Sequence, residues 1–102
     1  MNDINNLINS INKFRDERNW RQYHNPKDLA ISIAIEAAEL LEDFQWKDSE
    51  EALEYNNDNI QEEIADVLIY SLMLSSDLEL NVEEIIQNKL KKNAKKYPIE
   101  NG

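Results

Sequence analysis

The sequence predicts an all-α fold of four principal helices, with a short extra helix between the second and the third. Three observations predict it. The 102 residues include one Gly, at the last position, and two Pro, too few chain-reversing residues for a turn-rich β architecture. Apolar residues recur at helical spacing in the first quarter of the chain and again near its end. The stretch from Ser32 to Trp46 is built of strong helix formers with no Gly or Pro inside it. A chain of this length is expected to form one domain, residues 1–102, with a modest core.

The elements follow in order. Ile4, Leu7, Ile8, Ile11, Phe14 and Arg15 lie at helical spacing, which predicts a first helix over residues 3–19. Arg18, Trp20, Arg21, Tyr23 and His24 form a short connection ended by Asn25-Pro26. Asn25 is a good N-cap and Pro26 a good first helical residue, so helix two runs from about Pro26 to Phe44. Residues 45–57 are polar, and Ser49 to Glu54 can make a short helix. Helix three starts near Asn57 or Asp58 and runs to about Asp77. Asn81 caps helix four, with an acid three residues on, and Val82, Ile85, Ile86 and Leu90 are its apolar positions. That helix stops before Pro98.

Helix two organises the rest. Ser32, Glu36, Glu39 and Asp43 share one strip of it. Leu29, Ile31, Ile33, Ala34, Ile35, Ala37, Ala38, Leu40, Leu41 and Phe44 occupy the rest of the circumference. A helix that is apolar nearly all round, with a narrow acidic seam, turns that seam toward protein or ligand. Helix three answers it, because Glu63, Asp66 and Tyr70 share one face between Ile64 and Val67 on one side and Ile69 and Met73 on the other. Carboxylates inside an apolar wall need a partner. Two such pairs brought together repel unless cations neutralise them, and an all-oxygen ligand set favours Mg²⁺ or Mn²⁺.

An acidic i, i+3 pair is also common on solvated faces, and Glu50, Glu51 and Glu54 are read that way. Glu36-Glu39 and Glu63-Asp66 differ because apolar residues bracket them. A di-iron carboxylate bundle would use Glu-x-x-His pairs, whereas the single His, His24, lies outside both helices. There is no Cys, hence no thiolate site or disulfide frame, and no Gly-rich phosphate loop. Any phosphate must be held by metal and by Lys, Arg or Asn side chains. Trp20 and Trp46 each close a helix; they are either packing residues or a stacking surface for a nucleobase.

The net charge of −10 opposes binding to a nucleic-acid polymer. No apolar run approaches the ~20 residues that span a bilayer. The first residues lack the basic and apolar regions of a signal peptide, so a cytoplasmic location is expected. The bases gather at the two ends: Lys13, Arg15, Arg18, Arg21 and Lys27, then Lys89, Lys91, Lys92, Lys95 and Lys96. The later lysines suit the negative end of a helix dipole; the other reading is that basic ends and acidic middle together hold a metal and a small anion. Four short helices have difficulty covering the apolar circumference of helix two, which predicts a homodimer at least.

Taken in order, several stretches resemble the MazG-like all-α NTP pyrophosphohydrolases. They are Glu36-Ala37-Ala38-Glu39-Leu40, Phe44-Gln45-Trp46, and the run from Glu62 to Tyr70. The family pattern is E-x-x-E, a spacer, then E-x-x-D, and here residues 40–62 separate the two pairs. The flanking segments Arg18 to His24 and Lys92 to Pro98 are similar as well, most of all to the dCTP pyrophosphatase branch. The likeness covers about residues 13–98. It implies a four-helix MazG fold assembling as a dimer or dimer of dimers, and hydrolysis of a nucleoside triphosphate to the monophosphate and pyrophosphate. The expected metal ligands are Glu36, Glu39, Glu63 and Asp66 for Mg²⁺, or Mn²⁺, with Glu39 or Glu63 orienting the attacking water. By the same resemblance Lys89, Asn93, Lys96 and Tyr97 are expected at the phosphates, and Tyr70 and His24 at the sugar or base. With Trp20 and Trp46 stacking, the expected substrate is dCTP or a related pyrimidine deoxynucleotide, removed as nucleotide-pool housekeeping. The alternatives are a broad-specificity NTP pyrophosphohydrolase and a non-enzymatic acidic helical module that dimerises and binds a partner.

Overall fold

The computed structural model describes residues 3–100. Four α-helices follow one another: α1 (Asp3–Glu17), α2 (Pro26–Glu42), α3 (Ser49–Asp77) and α4 (Val82–Lys96). A single 3₁₀ turn, Trp20–Tyr23, links α1 to α2. Among the described residues there is no strand.

The caps expected from sequence form. Asn25 Oδ1 accepts from the Asp28 amide at 2.9 Å, with Pro26 in the first turn of α2. Asn81 Oδ1 accepts from the Glu84 amide at 3.0 Å and starts α4. One boundary differs. The short helix expected over Ser49 to Glu54 and the third helix expected from Asn57 are one continuous helix of 29 residues. Asp48 caps it, accepting from the Glu51 amide at 2.9 Å. The polar run Asn56-Asn57-Asp58-Asn59 contains no Gly or Pro and so does not stop the helix. Ala52 and Ile60, eight residues apart, are both buried and tie this polar stretch to the fold. Asn56 Nδ2 also donates to the Asp43 carbonyl at 2.7 Å, satisfying an acceptor at the end of α2.

The α2–α3 hairpin is the principal packing unit, and α1 lies against α3. The buried apolar residues are Leu29, Ala52, Ile60 and Met73. The acidic seam of α2 does turn inward, toward α3, and it leaves much of the helix's apolar surface outside. Ile31, Ile35 and Leu41 are exposed, the last at 66%. On α3, Leu53, Ile64 and Leu68 are exposed too. Helix α4 makes few contacts with the hairpin, and its Ile85, Ile86 and Leu90 are exposed. The radius of gyration is 16.7 Å, against about 13 Å for a compact chain of this length. One protomer is therefore an open structure. No helix of the described residues is long and apolar enough to cross a membrane.

Candidate metal centre and adjoining cavity

The two acid pairs meet across the α2–α3 hairpin. One carboxylate oxygen from each of Glu36, Glu39 and Glu63 lies within 4.8 Å of the other two. Glu36 and Glu39 are one turn apart on α2, so they project from the same side; Glu63 comes from the facing side of α3. Asp66, one turn on from Glu63, contributes its negative charge to the group and is half-buried. Glu36 Oε2 and Glu63 Oε2 are buried and without a hydrogen-bond partner, and so is Asp43 Oδ2 further along the seam.

The electrostatics follow from this crowding. Burial, then hydrogen bonds shared with Glu36 and Glu39, then their charges push the Glu63 carboxyl up to about 7 from an ordinary 4.5. Burial also raises Glu36, helped by the hydrogen bond and charge of Glu39 and the charge of Asp66. Carboxylates that are all ionised have no proton to share, so without a cation the cluster retains one near neutral pH. Buried oxygens with no donor are costly, and they fit a hard divalent cation. The donor set contains no sulfur or nitrogen, which argues against a soft metal.

Next to the acids is a cavity of about 440 Å³ between α1 and α3. Ser10, Ile11 and Phe14 line it from α1, Trp20 from the 3₁₀ turn, and Asp66, Ile69, Tyr70 and Met73 from α3. Its size lies within the roughly 300–1,000 Å³ of small-molecule sites. Asp66 and Tyr70 belong to both the acid group and the cavity wall. Burial, then the charges of Glu36, Asp66 and Glu39, raise the Tyr70 phenol, so it stays protonated and is a hydrogen-bond donor. Trp20 stands edge-on to Phe14, with ring centroids 5.3 Å apart.

The remaining sequence-selected residues are placed differently. Trp46 follows α2, 97% exposed, with φ of 64°. A bulky aromatic in the left-handed region is strained by about 1–2 kcal/mol. His24 does not line the cavity; its Nδ1 lies 3.4 Å from Arg15 Nη1. Lys89, Lys96 and Tyr97 are exposed on and after α4, and Asn93 is half-buried. None of these α4 residues lies in the acid cluster or lines the cavity, and α4 makes few contacts with the hairpin. Lys96 Nζ instead lies over the Tyr97 ring, 5.3 Å from its centroid.

Two parts of this region escaped the sequence reading. The cavity wall drew Ile11 and Phe14 from α1, which the sequence had marked only as a helix face, and Ser10, which it had not marked. Arg15, set among basic residues by composition, is fully buried and paired with Asp77, 62 residues away. The sequence had put Arg15 at helical spacing with Ile8 and Ile11, on the apolar stripe of α1; what it did not supply was the partner, Asp77.

The MazG-like family model matches residues 31–102. The chain is 33% identical over 92 residues to dCTP pyrophosphatase 1 of Bos taurus, covering 85% of this chain and 54% of that protein. It is 34% identical over 91 residues to dCTP pyrophosphatase 1 of Homo sapiens, covering 84% and 54%. It thus spans about half the length of the curated relatives it matches. A crystal structure of a pyrophosphatase from Archaeoglobus fulgidus superposes with a TM-score of 0.90 at 47% identity, covering 97% of this chain and 95% of that one. With two acid-bearing helices forming a hairpin and the family model matching both, the chain belongs to the MazG-like family.

Proposed function

We propose that this chain hydrolyses a nucleoside triphosphate to the monophosphate and pyrophosphate, with dCTP or a related pyrimidine deoxynucleotide as its substrate. The observation that carries the reading is the junction of two unlike sites. A carboxylate cluster with orphaned oxygens opens, through Asp66 and Tyr70, onto an apolar cavity walled by an aromatic ring. A nucleotide has the matching halves, a polyanion that needs a cation and a flat base that stacks. The likeness to dCTP pyrophosphatase 1 supports the base, and the archaeal pyrophosphatase supports the reaction class.

Glu36, Glu39, Glu63 and Asp66 would hold Mg²⁺, with Mn²⁺ as a substitute. The bound ion supplies Lewis-acid polarisation of the α-phosphate and a lowered pKa for water. Glu39 or Glu63 would position that water and accept its proton. Tyr70 donates a hydrogen bond beside the acids, at the sugar. Trp20 stacks on the base from the cavity wall, and Trp46, exposed on its turn, closes over it from outside. The charge on the phosphates is met by Lys89 and Lys96, with Asn93 and Tyr97.

Those α4 residues reach the acids only if another copy supplies them. The uncovered apolar faces of α2, α3 and α4 support a homodimer, or a homotetramer, as the working unit. Covering them stabilises the assembly in proportion to the apolar area removed from water. The role that fits is housekeeping of a nucleotide pool in the cytoplasm.

A panel of all natural NTPs and dNTPs, assayed for pyrophosphate release with Mg²⁺ and with EDTA, tests the reading. Pyrophosphate from dCTP that depends on the cation is the expected result. Release of orthophosphate instead, or no turnover of any nucleotide, would overturn it.

A further inference from the structure

Arg15 is fully buried, and its donors are assigned to named partners. Nε donates to Asn12 Oδ1 at 3.0 Å, Nη1 to Asp77 Oδ2 at 3.0 Å and Nη2 to Asp77 Oδ1. Nη1 also faces His24 Nδ1 at 3.4 Å. Asn12 extends the junction by donating to Ser76 Oγ at 3.0 Å. Asp77 is the last residue of α3, where the helix dipole already concentrates negative charge, so the guanidinium meets both. Arg21 Nη1 approaches the same Asp77 at 3.7 Å and is itself tied to Asp16. This junction joins α1, the 3₁₀ turn and the end of α3.

A guanidinium has donors only and keeps its proton at any working pH. For the 3.4 Å contact with His24 to be a hydrogen bond, Nδ1 must offer its lone pair and the ring proton must sit on Nε2. The His24 ring in turn stands edge-on to Trp20, with centroids 6.4 Å apart. Trp20 thus meets both the Phe14 and the His24 rings edge-on, and it lines the cavity. Closing α1 on α3 would not require an ion pair, because apolar residues of similar volume do so at no greater cost. What an apolar pair cannot do is fix an imidazole's tautomer and orientation.

We propose that Arg15 is a positioning residue: by holding His24 as the neutral Nε2–H tautomer, it sets the ring that props Trp20 against the cavity. The consequence for nucleotide binding rests on the function proposed above; the positioning itself does not.

The single His makes the first measurement unambiguous. Two-dimensional ¹⁵N NMR of the histidine ring near neutral pH should show the proton on Nε2. A proton on Nδ1, or a charged ring, would overturn the proposal. The second measurement uses Arg15→Met combined with Asp77→Leu, which removes the pair without stranding a buried charge. In a Trp46→Phe background Trp20 is the remaining indole, so acrylamide quenching of its fluorescence reports the wall. The double variant should quench more readily and should show mixed tautomers, with the helix content unchanged. Quenching identical to the parent would overturn the proposal. With Trp46 present, the same pair of substitutions should raise KM for dCTP on the order of tenfold and leave kcat within about twofold. An unchanged KM in a protein that hydrolyses dCTP would overturn it as well. Should the tautomer and quenching results come out as expected in a protein that hydrolyses no nucleotide, the positioning role stands and the proposed function alone fails.

Discussion

Glu36 and Glu63 face each other across the α2–α3 hairpin, and each buries an Oε2 that no donor satisfies. Two helices built to pack have been given, at their junction, the groups least suited to packing. The junction therefore stores unfavourable electrostatics that a cation would relieve, and the first predictions follow from that relief.

The cluster makes stability fall with pH when no metal is bound. The Glu63 carboxyl lies near 7 in the fold against an ordinary 4.5, so between those values the folded state binds more protons than the unfolded one. Its contribution is fully present below about pH 4.5 and is lost as pH rises through about 7. In EDTA the melting temperature should decline over that interval, and the decline should weaken in Glu63→Gln. Mg²⁺ competes with the retained proton, so the stabilisation it gives should grow as the pH rises. A melting temperature that climbs in EDTA from pH 5.5 to 8, or that ignores Mg²⁺ at the higher pH, would count against the cluster.

Neutralising one acid separates activity from stability. Glu63→Gln and Asp66→Asn should lower kcat at least ~100-fold by removing part of the cation's hold. Circular dichroism should show the helices intact, and the metal-free Glu63→Gln protein should melt no lower than the parent. Turnover at the parent rate in either variant would sink the assignment of these ligands.

Trp46 tests the difference between a core aromatic and a binding one. At 97% exposure, its replacement by Ala should change stability by no more than about 0.5 kcal/mol. Trp46→Gly should stabilise the turn, because Gly takes the left-handed conformation without strain. Both changes should raise KM roughly 5- to 150-fold for every nucleotide, leaving the ratio between dCTP and dATP nearly unchanged. A variant that unfolds instead would show that a partner surface holds the ring.

Assembly is read by mass. Light scattering at micromolar concentration should give a multiple of 12.0 kDa. Ile86→Asp, on the uncovered face of α4, should shift the mass toward the protomer and lower activity with it. A wild type that scatters as a single protomer would contradict the assembly.

Much of this protein is settled locally. Asn25 before Pro26 and Asn81 before Val82 fix two helix starts, because a cap needs only its own next turn. The acid strips on α2 and α3 are legible for a similar reason, since residues three and four apart share a face whatever the helix packs against. What failed locally was the gap between the expected short helix and α3. A polar run reads as a boundary, but burial of Ala52 and Ile60 and the Asn56 bond to the Asp43 carbonyl keep it helical. Burial depends on what packs against a residue, which the polar run itself does not state. The same holds for the pairing of Arg15 with Asp77, which α1 and α3 bring together only on packing. It holds too for the cavity, whose wall takes Phe14, Trp20 and Tyr70 from three separate elements. The sequence by itself determined the helices and which face of each carries acid. Only the tertiary structure decided which buried charge is neutralised by whom, because charge pairing depends on distance in space and the chain separates those partners by most of its length.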